Sequence, residues 1–177
     1  MTVRAFVTGG ARSGKSAFAE RLARDLGGDS VLYVATAEAW KDDSEMRRRV
    51  EEHRGRRPAG WSTFEVSYST PGASLSEAAR AGGEAEAVLL DSLTLWVSGR
   101  MMDGEDEEIL AELDGFLSAA GLGAPVVVVT DEVGLGLVPE SPEGRRFRDL
   151  LGLANQRVAA AAEEVYLCVS GVPLRMR

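Results

Sequence analysis

The stretch Gly9 to Ser16 reads GGARSGKS; an apolar run, Val3 to Thr8, leads into it and an amphipathic helical pattern follows. Strand, glycine-rich turn and helix in that order constrain the fold strongly. The turn must curl tightly enough for successive backbone N–H groups and the helix N-terminus to converge on one point, and that point stabilises an anion. The spacing Gly9, four residues, Gly14, Lys15, Ser16 is that of a phosphate-binding P-loop. It sets Gly9, Gly10, Ala11, Arg12, Ser13, Gly14, Lys15 and Ser16 around a nucleoside triphosphate, with Lys15 at the β- and γ-phosphates and Ser16 on Mg²⁺.

Further apolar runs at Val31 to Thr36, Ala87 to Leu90, Val126 to Thr130 and Val165 to Ser170, with a weaker alternating one at Thr63 to Val66, read as strands. Most are continuous, as in a parallel sheet covered on both faces. Helical stripes lie between them: Ala19, Leu22, Ala23 and Leu26; Ile109, Leu110, Leu113, Phe116 and Leu117; Phe147, Leu150, Leu151, Ala154 and Val158. This alternation predicts an α/β fold of the P-loop NTPase type, a mostly parallel sheet with helices on both faces and ligands at the carboxyl ends of its strands. No repeat or linker divides residues 1–177, so one nucleotide-binding domain is expected.

Three further segments carry chemical groups. Val88 to Asp91 ends a strand on a carboxylate; Asp91 is either the metal-supporting acid that phosphoryl transfer needs or a cap for the helix that follows. Arg47 to Arg57, RRRVEEHRGRR, gathers six arginines and the chain's only histidine. Arginines disfavour protonation of His53 and attract phosphates, so the segment reads either as a nucleophile among anion-binding groups or as a solvated basic helix. Thr130 to Ser141, TDEVGLGLVPES, reads as an ordered loop on the P-loop's side of the sheet, with Asp131 and Glu132 as site residues or turn caps. The polar face of Arg145, Arg146, Arg148, Asn155, Gln156 and Arg157 is expected at solvent or a subunit contact.

With 20 basic against 28 acidic residues, net charge -8, the chain is a poor candidate for binding nucleic acid or an anionic membrane. No apolar stretch reaches membrane-span length and the chain enters a strand without a leader, so a soluble, cytoplasmic protein is expected. Cys168, the sole cysteine, sits in an apolar run and reads as a buried thiol.

These segments together resemble one family, the bifunctional adenosylcobinamide kinase and adenosylcobinamide-phosphate guanylyltransferase of cobalamin biosynthesis. The resemblance rests on TGGARSGKS, LYVAT (Leu32 to Thr36), EHRGRRPAGW (Glu52 to Trp61), LLDSLTLWV (Leu89 to Val97), DEVGLGLVPE (Asp131 to Glu140) and FRDLLGLANQRVA (Phe147 to Ala159). It implies phosphorylation of the aminopropanol hydroxyl of adenosylcobinamide by ATP or GTP. GMP transfer from GTP then gives adenosylcobinamide-GDP and pyrophosphate, through a covalent GMP-histidine. It implies His53 as nucleophile and Lys15 as catalytic cation, with nucleotide contacts from the P-loop, Val34, Ala35, Thr36, Arg54, Gly55, Arg56, Arg57, Glu65 and Asp91. It implies Mg²⁺ on Ser16 and Asp91, and a homotrimer with sites between subunits. The chain departs from the family where some members carry Glu at position 91, often Asn at 131, and a second histidine at the place of Glu52. Two other readings remain: a P-loop kinase for another small alcohol without guanylyl transfer, and a nucleotide-dependent switch protein.

Overall fold

A computed structural model describes residues 3–37, 44–70, 73–120 and 123–177; the side chains of residues 45, 46, 49, 52, 53, 56 and 120 fall outside the description. The elements run β1 (Val3–Gly9), α1 (Lys15–Gly27), β2 (Val31–Ala35), α2 (Ser44–Arg56), β3 (Ser62–Glu65), α3 (Leu75–Ala81), a 3-10 turn (Gly82–Glu84), β4 (Ala87–Asp91), α4 (Leu93–Arg100), α5 (Asp106–Ala120), β5 (Val126–Val129), α6 (Pro142–Ala161), β6 (Ala162–Val169) and β7 (Val172–Arg175). The strands form one sheet in the order β3-β2-β4-β5-β1-β6-β7. All neighbours are parallel except β6 and β7. Ligand-binding ends of β1, β2, β4 and β5 therefore face one edge of the molecule.

β4 and β5 have no polar residue before their ends because both of their faces are covered. Val88, Leu90, Val126 and Val128 pack with Leu93, Trp96, Leu113, Phe116, Leu151 and Val158 from α4, α5 and α6. Leu89, Val127 and Val129 pack on the opposite face with Ala19 and Ala23 of α1. Small residues on α1 let it lie close to the sheet; a Cβ on Gly27 would come within 2.8 Å of the Ala87 side chain.

Two elements were not anticipated. α3 is started by a complete capping box, Ser74 Oγ accepting from the Glu77 N–H and the Glu77 carboxylate accepting from the Ser74 N–H. β7 folds back through Ser170 (φ 50) and Gly171 (φ 84), a pair of positive φ values that makes a tight antiparallel hairpin. Pro173 is tolerated because β7 is the outermost strand. The polar face of α6 also differs from expectation, because much of it is bonded inside the chain. Arg146 reaches Asp106 and the carbonyls of Met101 and Gly104, and Arg157 pairs with Asp114.

Candidate nucleotide site

Gly9 ends β1 where no side chain fits: a Cβ would stand 2.5 Å from the Cys168 carbonyl oxygen on β6. Gly14 has φ 89 and turns the chain into α1, with a would-be Cβ 3.1 Å from Gly171 Cα. The tip of the β6–β7 hairpin thus braces the loop from outside, and the Gly171 N–H donates to the Ser13 carbonyl at 2.9 Å. Gly10, Ala11 and Arg12 are exposed at the mouth, Arg12 with φ 56. Ser13 is buried, and its Oγ is without a partner among the described residues, as is Thr8 Oγ1 below it. α1 begins at Lys15 with no side-chain cap, so the N–H groups of its first turn, Ser16 among them, are left for an anion.

The Lys15 ammonium donates to the Gly10 carbonyl at 3.2 Å and lies 2.5 Å from Asp131 Oδ1. Strand order explains this pair: β5 lies between β1 and β4, so Asp131, two residues past the end of β5, emerges beside the loop. Asp131 thus stands against the P-loop lysine, whereas Glu132 caps a turn by accepting from the Gly134 N–H.

The backbone of Asp131 is clamped by a ring of hydrogen bonds. Its N–H donates to Thr94 Oγ1 at 2.7 Å, and Asn155 Nδ2 donates to its carbonyl at 3.2 Å. The single hydroxyl proton of Thr130 goes to Asn155 Oδ1 at 2.8 Å, so the Thr94 hydroxyl must be the donor across the 3.3 Å contact to Thr130. The four bonds run head to tail and close on one residue, through its N–H and its carbonyl. Thr94, Thr130 and Asn155 are all buried.

Asp91 ends β4, one strand further along. Asp91 does not cap the helix that follows: Ser92 caps α4, accepting from the Leu95 N–H. The Tyr33 hydroxyl donates to Asp91 Oδ2 at 3.0 Å. Burial, then the Asp91 charge, pushes the Tyr33 phenol far above its ordinary range, so it stays a protonated donor. The Arg57 guanidinium, just past α2, stacks 3.3 Å above the Tyr33 ring. Arg54 pairs with Glu65 at the end of β3. The arginine-rich segment is thereby fastened to the same sheet edge as Asp91. His53 and Arg56 lie on α2 with side chains outside the described residues, and Gly55 is exposed between them.

The side chains of Val34 and Thr36 pack inside the fold. Val34 is fully buried in the core, and the Thr36 hydroxyl both donates to the Ser92 carbonyl and accepts from its N–H, tying β2 to the start of α4. Ala35 is half-buried beside them. Sequence reasoning missed Tyr33, Thr94, Thr130 and Asn155; only Asn155 left a signal, a polar residue four positions from Leu151 on the apolar stripe of α6.

For Mg²⁺ the available donors are hard oxygens, the Ser16 hydroxyl and the Asp91 carboxylate. Among the described residues no group of three or more His, Cys, Asp and Glu could hold a metal. Such a donor set fits an ion held mainly by phosphates and water, with one or two protein ligands.

Residues 5–176 match the model of the family described as cobinamide kinase / cobinamide phosphate guanyltransferase. The bifunctional adenosylcobalamin biosynthesis protein CobP of Pseudomonas aeruginosa is 39% identical, over 99% of this chain and 98% of its own length. The corresponding protein CobU of Escherichia coli is 41% identical, over 97% and 98%. Among solved structures, an ATPase of a bacterial type III secretion system superposes with a TM-score of 0.57 at 13% identity, covering 93% of this chain and 50% of that one. The RadB recombinase superposes at 0.53 and 16%, covering 93% and 73%. At these identities the two structures establish the P-loop NTPase fold alone. The full-length family match and the curated relatives establish that the chain belongs to the cobinamide kinase / cobinamide phosphate guanyltransferase family.

Proposed function

We propose that this chain, acting as a single domain, phosphorylates the aminopropanol hydroxyl of adenosylcobinamide with ATP or GTP and then transfers GMP from GTP to the resulting phosphate. The observation that carries the reading is the physical link between the two halves of the site. Arg57 stacks on Tyr33 and Tyr33 bonds Asp91, so the segment bearing the only histidine is anchored to the edge that carries the P-loop.

In the kinase step the substrate hydroxyl oxygen attacks the γ-phosphorus and its proton passes to a phosphate oxygen or solvent, while the β–γ anhydride breaks and the nucleoside diphosphate leaves. Lys15 and the free N–H groups at the start of α1 stabilise the charge that develops on the phosphates. In the second step a neutral imidazole nitrogen of His53 attacks the α-phosphorus of GTP. The α–β anhydride breaks, and pyrophosphate departs toward cationic groups such as Arg54 and Arg57. A phosphate oxygen of the phosphorylated corrinoid then attacks the same phosphorus and the P–N bond breaks, restoring the imidazole. Splitting the transfer this way avoids direct attack between two poorly nucleophilic phosphates. Bound Mg²⁺, on Ser16 and Asp91, would neutralise phosphate charge. A homotrimer belongs to the same proposal; Leu135, Leu137 and Val138 expose apolar surface that a neighbouring subunit would cover.

Intact-mass spectrometry after incubation with GTP and Mg²⁺ tests the reading. One GMP adduct per chain is expected, mapped to His53 and absent from His53→Ala. An adduct that persists in His53→Ala, or none in the wild type, refutes the covalent route. Phosphorylation of other small alcohols without guanylyl transfer would favour the kinase-only alternative.

A further inference from the structure

Asp131 lies outside the phosphate-binding motif, yet it is the group most firmly placed against it. Lys15 is held by two partners, the Gly10 carbonyl and Asp131 Oδ1, and its side chain is 12% exposed. The Asp131 backbone is fixed independently, on both sides of its Cα, by the closed ring through Thr94, Thr130 and Asn155. Its neighbour Glu132 donates its N–H to the Gly9 carbonyl at 3.2 Å, joining the same segment to the P-loop itself. Apolar residues at 94, 130 and 155 would fill the space as well; a fully satisfied polar ring adds a unique position for the backbone between them. The α1 N-terminus and Lys15 make the loop a positive pole, and the Asp131 carboxylate is bonded directly to its mobile charge.

We infer that Asp131 is the internal counter-ion of Lys15, which the β- and γ-phosphates of an incoming nucleotide must displace, and that it thereby sets the affinity of the site for triphosphate. The inference rests on the triphosphate-transferase reading of the site. Asp131 acts through Lys15, as a positioning residue. While paired it keeps the ammonium folded into the loop, and when phosphates arrive its charge opposes theirs, so each bound nucleotide pays for the exchange.

Asp131→Asn keeps the size of the side chain and the backbone ring but removes the charge. With α,β-methylene GTP and Mg²⁺ as probe, which histidine attack cannot cleave, calorimetry should show binding about tenfold tighter than wild type, the low end of what one charge-assisted hydrogen bond contributes. Asp131→Glu, which retains the charge, should stay near wild type. A second readout needs no nucleotide. The chain has two lysines, Lys15 and Lys41, so acetic anhydride labelling read by peptide mass spectrometry follows Lys15 against an internal reference. Its labelling should quicken several-fold in Asp131→Asn. Equal or weaker nucleotide binding in Asp131→Asn overturns the inference, as does an unchanged Lys15 labelling rate. Absence of triphosphate binding in the wild type overturns the transferase reading instead, and the labelling rate tells the two failures apart.

Discussion

Replacing Asn155 by leucine isolates the energetic worth of the ring that seats Asp131. The two side chains are close in shape, so the cavity contribution is small. Two hydrogen bonds disappear, from the Thr130 hydroxyl at 2.8 Å and to the Asp131 carbonyl at 3.2 Å; at a net of about 1 kcal/mol each, they account for about 2 kcal/mol. The Thr130 hydroxyl is 0% exposed, and a buried donor without an acceptor adds about 1–3 kcal/mol. The Asp131 carbonyl is only partly buried and regains water. Leucine's extra apolar burial returns roughly 1 kcal/mol. The expected net loss is about 3 kcal/mol, or a fall in Tm of about 6–12 °C for a chain of this size. Urea titration followed by far-UV circular dichroism, with an unchanged slope, measures it. Thr130→Val should cost a similar amount. The double variant should cost about 1–2 kcal/mol less than the sum, because removing both partners at one junction leaves fewer orphaned groups than two separate removals. A loss below about 1 kcal/mol for Asn155→Leu, or strict additivity in the cycle, would refute the ring.

Two further substitutions address the loop and the aromatic link. Gly14→Ala places a Cβ at φ 89 and 3.1 Å from Gly171 Cα; it should cost about 1–2 kcal/mol of stability and weaken triphosphate binding in the same calorimetric assay, and a neutral result would mean that the hairpin tip does not brace the loop. Tyr33 titrates above the ordinary phenol value of 10.0 in the folded chain, so above that pH the unfolded state holds fewer protons than the folded one. Its contribution to stability is complete below pH 10.0 and is lost as pH rises beyond it. Tyr33→Phe should therefore lose less stability than wild type between neutral pH and about pH 11 in urea titrations, and parallel losses would contradict the buried, protonated phenol.

What could be read from the sequence divides by how far apart the cooperating residues lie. The P-loop is local: glycine spacing, the preceding strand and the following helix all fall within one segment, so its backbone and the position of Lys15 were legible. α3 was legible in principle too, since Ser74-x-x-Glu77 is a capping box written in four residues, and Ser170-Gly171 marks a hairpin turn; both are short signals beside long apolar runs, and the runs dominated the reading. The ring around Asp131 was not legible as a ring: Asn155 stands out on the apolar stripe of α6, but no local rule names its partners. Thr94 and Asn155 stand 37 and 24 residues from Asp131; as isolated letters in the sequence, a threonine in a short helix and an asparagine in a long one carry no partner. They meet because β5 inserts between β1 and β4, and apolar periodicity encodes that a strand is buried without encoding its neighbours. The same insertion puts Asp131, rather than Asp91, against Lys15. Residues that grip a ligand through one loop are thus visible in a motif, whereas residues that position the loop's charge depend on strand order and become visible only in the folded sheet.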